Sequence, residues 1–455
     1  MPGSPSQKRR LLWVGVICAL AFALRAIVIA STQEAGIFAD MQEYHDRAVH
    51  FLRTGTLWPD AFRVPVFPMF VAGVFKLFGV SLIAVRVAQA LLGVATVALT
   101  YVLARRITTE RGAFFAAFVV AIYPALLLYS VYLMAETLFA FLVVLALALW
   151  ATDRPRLALA AGLAIGAATL TRSTGLAVAG GIALAEVFRL IAVRDELVGR
   201  ALARGSLMLV GFAIVLAPWI LRNYDLYQRV IPTDTSSGFN ALLGNYEGAT
   251  GRHPGLPAVE AAAQKYWSAT RNDVERSDVG LTVARDFVLA QPLRATQLAL
   301  LKVAYLFGVE GREHAWGYSF HLQGRRDADT VWAWGVALIV SFPGLMTLAS
   351  IGLWRPGLSV SVVGVAMVAT LLCVTAIHIA SFGDSRFHLP WIPLLAILAA
   401  RAVAPSSSKP WTVTRQAVLA VWLVCFALAW KDQTRELLAA LPRLAASPVP
   451  LELPY

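Results

Sequence analysis

The apolar runs in this chain are too long for a water-soluble core. Leu11 to Ala30 provides twenty predominantly apolar residues, enough for a helix rising 1.5 Å per residue to cross a hydrocarbon layer of about 30 Å. Further runs follow at Leu82 to Ala104, Ala113 to Leu128, Leu133 to Ala151, Leu157 to Leu170, Thr174 to Leu190, Ser206 to Leu221, Val331 to Leu353, Val360 to Ala380, Leu389 to Ala404 and Trp411 to Trp430. The pattern predicts an all-α polytopic membrane protein, a bundle of about 11 transmembrane helices with external amphipathic helices and a large external loop. Composition agrees: 58% of the 455 residues are hydrophobic and 15% charged, against about 25% charged in soluble domains. A string of soluble domains is excluded.

The net charge of +12 reads as positive-inside loop charge, not as the mark of a nucleic-acid partner. Its basic residues stand as short clusters between apolar runs and form no single soluble patch. Lys8, Arg9 and Arg10 precede the first run, which reads as a retained helix with a cytoplasmic start. Counting crossings from there puts Arg105, Arg106 and Arg111, then Arg154 and Arg156, then Arg189, Arg194, Arg200 and Arg204 on cytoplasmic loops, as the positive-inside rule requires. Two long hydrophilic segments, Ser31 to about Val80 and Asn223 to about Thr330, fall outside. Leu293 to Gly308 carries Lys302 near its middle and is read as a half-buried outer helix, because a crossing there would reverse every later loop. Cys18, Cys373 and Cys425 lie within apolar stretches and read as packing residues.

An ionisable residue at the centre of a membrane helix costs about 2.5 to 3.5 kcal/mol on insertion scales, so each one near a span is a functional candidate. The first external loop, FADMQEYHDRAVHFLRTG, clusters Asp40, Glu43 and Asp46 at the start of an amphipathic segment with Asp40, Tyr44 and Ala48 at helical spacing, and with Ala48, Phe51 and Leu52 expected on the bilayer surface. Asp40 reads as a proton acceptor or as a helix N-cap. Arg63 follows in AFRVPVFPMF, where Pro65 and Pro68 stiffen the turn back toward the membrane. Glu136 opens the run in AETLFAF, either as a site carboxylate or as an interfacial one favoured by the helix dipole. Arg172 in LTRSTGL reaches the outer side or snorkels to headgroups. Arg222 in APWILRNY sits in an aromatic belt with Trp219 and Tyr224; Arg386 and His388 precede a late span in SRFHLPWIPLL, the histidine equally readable as a satisfied interfacial one.

Carboxylates and arginines on one face are what group transfer from a lipid phosphate requires. An acid accepts a proton from the acceptor, and guanidinium forks bind the phosphate. No HExxH, paired CxxC, Walker loop or GxSxG elbow occurs, so no metal site and no cofactor is expected.

At these residues the sequence resembles the polytopic GT-C glycosyltransferases, specifically the family 39-like enzymes related to protein O-mannosyltransferases and lipid A aminoarabinose transferases. The resemblance is carried by the acidic loop, by FRVPVFPMFVAGVFKLFGVSLIAVRVAQALLG, AETLFAF, LTRSTGL and APWILRNY, and by SRFHLPWIPLLAILAA; it is good to about Tyr227 and thin beyond. It implies a sugar donor on a polyprenyl monophosphate, transfer outside the cytoplasm and inversion at the anomeric carbon. Asp40 matches the family's first-loop catalytic aspartate, Arg63 a basic phosphate-binding residue, Glu136 a second acidic residue and Arg386 a late basic one. Tyr44, Arg172, Arg222 and His388 are carried as further substrate- or phosphate-binding candidates. The implied partners are the lipid-linked donor, a glycan, lipid or protein acceptor, and membrane lipids.

The expected organisation is an N-terminal module 1–222 with catalytic loop 31–80, an external region 223–330 covering the site, C-terminal spans 331–430 and a tail 431–455. A secondary transporter is the main rival and predicts an internal repeat with broken helices near the midplane; no repeat is evident. A non-catalytic lipid-binding protein on the same scaffold is the other. The expected setting is a bacterial inner or plasma membrane.

Overall fold

The computed structural model describes residues 5–32, 37, 39–192, 198–253, 272–311, 327–358, 361–404 and 413–446. Among these, every regular element is a helix. The chain runs through α1 (Pro5–Ala30), α2 (Asp40–Thr54), α3 (Val66–Phe78), α4 (Leu82–Ala104), α5 (Glu110–Ile122), α6 (Pro124–Leu128), α7 (Glu136–Trp150), α8 (Pro155–Thr169), α9 (Leu176–Ala192) and α10 (Val198–Tyr227). After these come α11 (Ser236–Gly244), α12 (Asp273–Ala290), α13 (Pro292–Leu306), α14 (Ala328–Trp354), α15 (Val362–Ala380), α16 (Ile392–Val403) and α17 (Val413–Ala446), with 3₁₀ turns at Ser173–Gly175 and Ser385–Trp391.

Among the described residues, eight helices are long and apolar enough to cross a membrane: α1, α4, α9, α10, α14, α15, α16 with its leading 3₁₀ turn, and α17. The sequence predicts eleven spans, and the difference lies in α5, α7 and α8, which have 13, 15 and 15 residues. Local chemistry shortens them. Pro124 forces Tyr123 into an extended conformation (ψ 118°) and ends α5. The Leu133 to Ala151 run starts as loop, because Gln89 Nε2 on α4 donates to the carbonyls of Ser130 and Tyr132 at 3.1 and 2.9 Å. Large apolar side chains such as Leu11, Leu20, Leu209, Ile214, Leu372 and Leu428 point outward, as a lipid-facing surface demands.

Close approach of helix backbones holds the bundle together. A methyl added at Gly162 on α8 would lie 2.0 Å from the Met208 carbonyl oxygen of α10, and one at Gly211 would lie 2.3 Å from that of Leu159. Small residues are thus the contact surface, as is usual where lipid removes the hydrophobic drive between helices. Buried cations serve as caps. Arg401 on α16 donates to the carbonyls of Gly352, Ile107, Arg355 and Pro356 at 2.9 to 3.1 Å, closing ends left by α14 and the α4–α5 turn. Arg25, inside the first span, donates to Ala121 O at 3.2 Å near the end of α5.

Lys302 explains the ambiguous Leu293 to Gly308 stretch. It lies on α13, a helix of 15 residues, and is buried with Nζ 2.7 Å from Asn245 Oδ1 and 2.9 Å from Ile379 O in the last turn of α15. Of the turn-rich sequence GNYEGATGRHPGLP the last four residues, 254–257, and of the helically spaced polar stretch Ala258 to Asp278 the residues 258–271 lie outside the described residues; Asp273 onward is α12.

Two central helices decide where the site forms. α16 is buried at every position from Ile392 to Arg401, and α7 nearly so. Phe139 of α7 meets Trp391 edge-on at 5.5 Å. Both helices begin at the same end of the bundle, α7 with Glu136 and α16 just after Arg386. Asp40 at the start of α2 and Leu242 and Leu243 of α11 reach that end.

Candidate active site

The first loop presents its acids through helix periodicity. Met41, Tyr44 and Ala48 form the buried stripe of α2, and Tyr44 packs edge-on to Phe67 of α3 at 4.9 Å. Ala48 therefore faces protein, not the bilayer surface expected from sequence, because α3 folds back along α2. Asp40 and Glu43 are left on the flank that looks toward Arg63. Asp40 is not a side-chain cap: the position before it, Ala39, has a positive φ of 46°, and no side chain caps the helix. A non-glycine residue there costs on the order of 1–3 kcal/mol. The chain holds that strain directly beside the carboxylate.

Arg63 is fixed from several directions. Val66 N donates to Leu170 O at 2.9 Å, tying the start of α3 to the end of α8. Ala61 N donates to Tyr227 Oη and Asp273 Oδ2, both at 3.1 Å. Arg222 donates to Asp60 O at 2.9 Å and also to Trp58 O. It thus braces the loop that carries Arg63.

The charged groups form one alternating chain across five elements. Arg47 donates to Glu43 at 2.7 Å; Glu43 accepts from Arg63 at 2.9 Å; Arg63 reaches Asp40 Oδ1 at 2.6 Å. Asp40 Oδ2 accepts from Arg386 at 2.9 Å, and Glu136 Oε1 accepts from both Arg386 and Arg172 at 2.5 Å. Glu136 is 1% exposed. Its second oxygen, Oε2, is buried and has no hydrogen-bond partner among the described residues, which costs about 1–3 kcal/mol when nothing compensates. A substrate donor group placed there would satisfy it.

The environment separates the carboxylates. Burial pushes Asp40 up, but the Arg63 and Arg386 guanidiniums outweigh it and hold the group well below the usual carboxylate range. For Arg63 burial pulls down, and Asp40, Tyr44 and Glu43 together raise it. The Tyr44 phenol is raised, by burial first, and its ring lies 5.7 Å from the Arg63 guanidinium carbon. Asp234, in the turn before α11, is raised by burial despite hydrogen bonds from Ser236 and Ser173.

Of the residues singled out in the sequence, Asp40, Glu136, Arg63, Arg172 and Arg386 converge, with Tyr44 beneath Arg63. Two stand apart. Arg222 serves the loop backbone. His388 is fully buried, 2.9 Å from Glu310 Oε1 and 2.6 Å from Leu306 O, and stacked on Phe342 at 3.7 Å. Glu310 and Asp234 went unnoticed in the sequence. Asp234 sits in DTSSGF and reads there as a capping residue, while nothing local marks Glu310.

Comparison with known proteins now adds to this geometry. Residues 62–221 match the family described as dolichyl-phosphate-mannose-protein mannosyltransferase. No curated protein matches the chain in sequence. Among solved structures, the oligosaccharyltransferase AglB from Archaeoglobus fulgidus, in complex with an inhibitory peptide and a dolichol-phosphate, superposes with a TM-score of 0.52 at 13% identity, over 99% of this chain and 57% of that one. The apo form of the Archaeoglobus fulgidus oligosaccharyltransferase gives 0.52 at 15% identity, over 97% and 57%. ArnT from Cupriavidus metallidurans in the apo state gives 0.42 at 16% identity, over 87% and 78%. At such identities the likeness is one of fold, and the chain spans 57% of the length of the oligosaccharyltransferase.

The helical architecture is that of a multi-pass membrane protein whose fold resembles the GT-C enzymes. Over residues 62–221 the sequence is similar to the dolichyl-phosphate-mannose-protein mannosyltransferase family. The fold likeness continues through the C-terminal half, where sequence resemblance is thin.

Proposed function

We propose that this protein transfers a sugar from a polyprenyl-phosphate donor to a hydroxyl or amine acceptor on the external face of the membrane. One observation carries the reading: carboxylates and guanidiniums from distant parts of the chain alternate in a single cluster at one end of the bundle. The family match over residues 62–221 supports it. In this reading α5, α7 and α8 complete eleven passes, and the cytoplasmic arginines set the orientation.

Arg63, Arg386 and Arg172 receive the donor phosphate. Guanidinium forks match phosphate oxygens, and the partly dry site strengthens each contact. Arg63 and Arg386 are then shared between the phosphate and Asp40. As the phosphate draws on them, Asp40 loses part of its pairing and becomes a better base. It takes the acceptor proton while the acceptor oxygen or nitrogen bonds to the sugar's C1. The bond from C1 to the phosphate oxygen breaks, and polyprenyl phosphate leaves with the electron pair. Attack from the side opposite the phosphate inverts the anomeric centre. Glu136 fixes Arg386 and Arg172 and offers Oε2 to the donor.

The test is a deletion strain whose lipids, surface glycans and glycoproteins are compared with wild type by mass spectrometry. The reading expects a sugar missing from one acceptor class and its lipid-linked form accumulating. An unchanged inventory of both would overturn it.

A further inference from the structure

Asp234 is a carboxylate at the edge of this cluster that the mechanism above leaves unused. Among the described residues it forms no ion pair. Its Oδ1 accepts from Ser236 N at 3.1 Å and from Ser236 Oγ at 2.6 Å, and the Ser173 hydroxyl bonds the carboxyl as well. Ser173 directly follows Arg172. The Arg63 guanidinium faces the group and pulls on it electrostatically. The residue is half-buried, so it remains reachable.

Its position is held from both sides. Thr235, next in the chain, donates its N–H to Ala61 O at 2.9 Å and its hydroxyl to Asp273 Oδ2 at 2.7 Å. That places Asp234 against the first external loop, two residues from Arg63. From there α11 passes over the Arg386 element: Phe239 lies 6.4 Å from Phe62, and Leu242 and Leu243 are buried with Phe382 against Phe387. Asp234 thus stands at the rim of a roof over the arginines. A donor tethered to lipid with its phosphate on those arginines leaves this rim to whatever arrives from water.

We propose that Asp234 is an acceptor-binding residue: it takes a hydrogen bond from a second donor group on the acceptor, adjacent to the reacting one, and so leaves the reacting proton to Asp40. The acceptor class that fits is one with two neighbouring donors, such as a vicinal diol, an amino alcohol or a peptide whose amide flanks the hydroxyl. Burial supports the role, since a carboxyl raised by its surroundings and not committed to a cation is a good acceptor of a new hydrogen bond. The inference rests on the group-transfer reading.

The deletion strain supplies both the accumulated donor lipid and the unmodified acceptor, so neither has to be named in advance. Purified full-length protein is incubated with that lipid extract while the acceptor fraction is varied, and the experiment is repeated with the roles exchanged. Asp234→Ala is expected to raise the acceptor fraction needed for half-maximal transfer about tenfold or more, from the loss of a charge-assisted hydrogen bond. Asp234→Asn keeps an oxygen for Ser236, guards against a folding artefact, and is expected to raise it about threefold to tenfold. The donor dependence of both variants should match wild type. An unshifted acceptor dependence in a folded Asp234→Asn protein overturns the inference alone, as does a shift confined to the donor. A deletion strain with no altered glycan overturns both this inference and the function it rests on.

Discussion

Asp40 and Arg386 stand 346 positions apart in the chain and meet at 2.9 Å. The contact joins the start of α2 to the 3₁₀ turn that leads into the most buried helix. Arg386 also holds Glu136, so a displacement of α2 would be felt at the head of α7. Removing one member of a buried ion network leaves its partners charged and unpaired, which costs far more than an exposed pair would. The arrangement therefore specifies one position for the loop against the bundle.

Replacing Asp40 should separate chemistry from folding. Asp40→Asn keeps the size and an accepting oxygen for Arg63 but cannot take a proton. Transfer is expected to fall by about 10² to 10⁴-fold, the usual contribution of a positioned base, with the protein still extractable and monodisperse. Near-normal turnover in the same preparation would remove Asp40 from the role of base.

The same residue predicts a pH window for stability. Its folded-state pKa is depressed below the unfolded value of about 3.9. The stabilisation from ionised Asp40 is therefore fully present above pH ~4 and is lost as pH falls through the depressed folded value. The difference in melting temperature between wild type and Asp40→Asn should stay constant from about pH 5 to 8 and narrow below about pH 4. A difference that already narrows between pH 8 and 6 would point to another titrating group.

Glu136 and Glu43 both accept from arginines, yet their surroundings predict unequal costs. Glu136 is 1% exposed and holds two guanidiniums; the Glu43 side chain is 28% exposed. Glu136→Ala should destabilise by about 3–5 kcal/mol, the range for breaking a buried pair, and Glu43→Ala by about 1 kcal/mol or less. Chemical unfolding in detergent micelles measures both. Equal losses would mean that water reaches Glu136 freely.

Much of this was legible in the sequence, and the residues show why the rest was not. Lipid-length apolar runs define the class, and rare charges near their ends pick out Asp40, Arg63, Glu136, Arg172 and Arg386, because a charge beside lipid needs a reason. The helix ends were less legible: Pro124 and the Gln89-held loop interrupt runs that hydropathy joins. Lys302 stands out in the sequence because its partners, the Asn245 side chain and the Ile379 carbonyl, come from distant elements that no local pattern reveals. Asp234 and Glu310 act through tertiary neighbours, and a short polar turn looks the same whether it covers a site or merely caps a helix.

The proposed sharing of Arg386 between Asp40 and a lipid phosphate predicts that lysine will not substitute. Lysine keeps the charge but loses the fork that spans two acceptors. Arg386→Lys, which would have to serve Asp40 and Glu136 from one nitrogen, should weaken binding of a polyprenyl phosphate by about 10- to 100-fold, the equivalent of one or two charge-assisted hydrogen bonds. Arg222→Lys, on a residue that braces backbone, should change that affinity by less. Binding titrations in nanodiscs distinguish them, and identical behaviour of the two variants would dissociate the phosphate from Arg386.

Helix packing gives a prediction independent of the site. Gly162 meets the Met208 backbone so closely that an added methyl would stand 2.0 Å from its carbonyl oxygen, whereas nothing lies within 4 Å of a methyl at Gly205. Backbone cannot yield as a flexible side chain does, so Gly162→Val must push α8 from α10. A loss of about 1–3 kcal/mol is expected, the range for overpacking. Gly205→Ala, in an open position on the same pair of helices, should be neutral or gain up to about 1 kcal/mol from helix propensity. Thermal melting of the two variants side by side reads the sign directly; a Gly162→Val protein as stable as wild type would show that α8 and α10 do not touch through their glycines in the membrane.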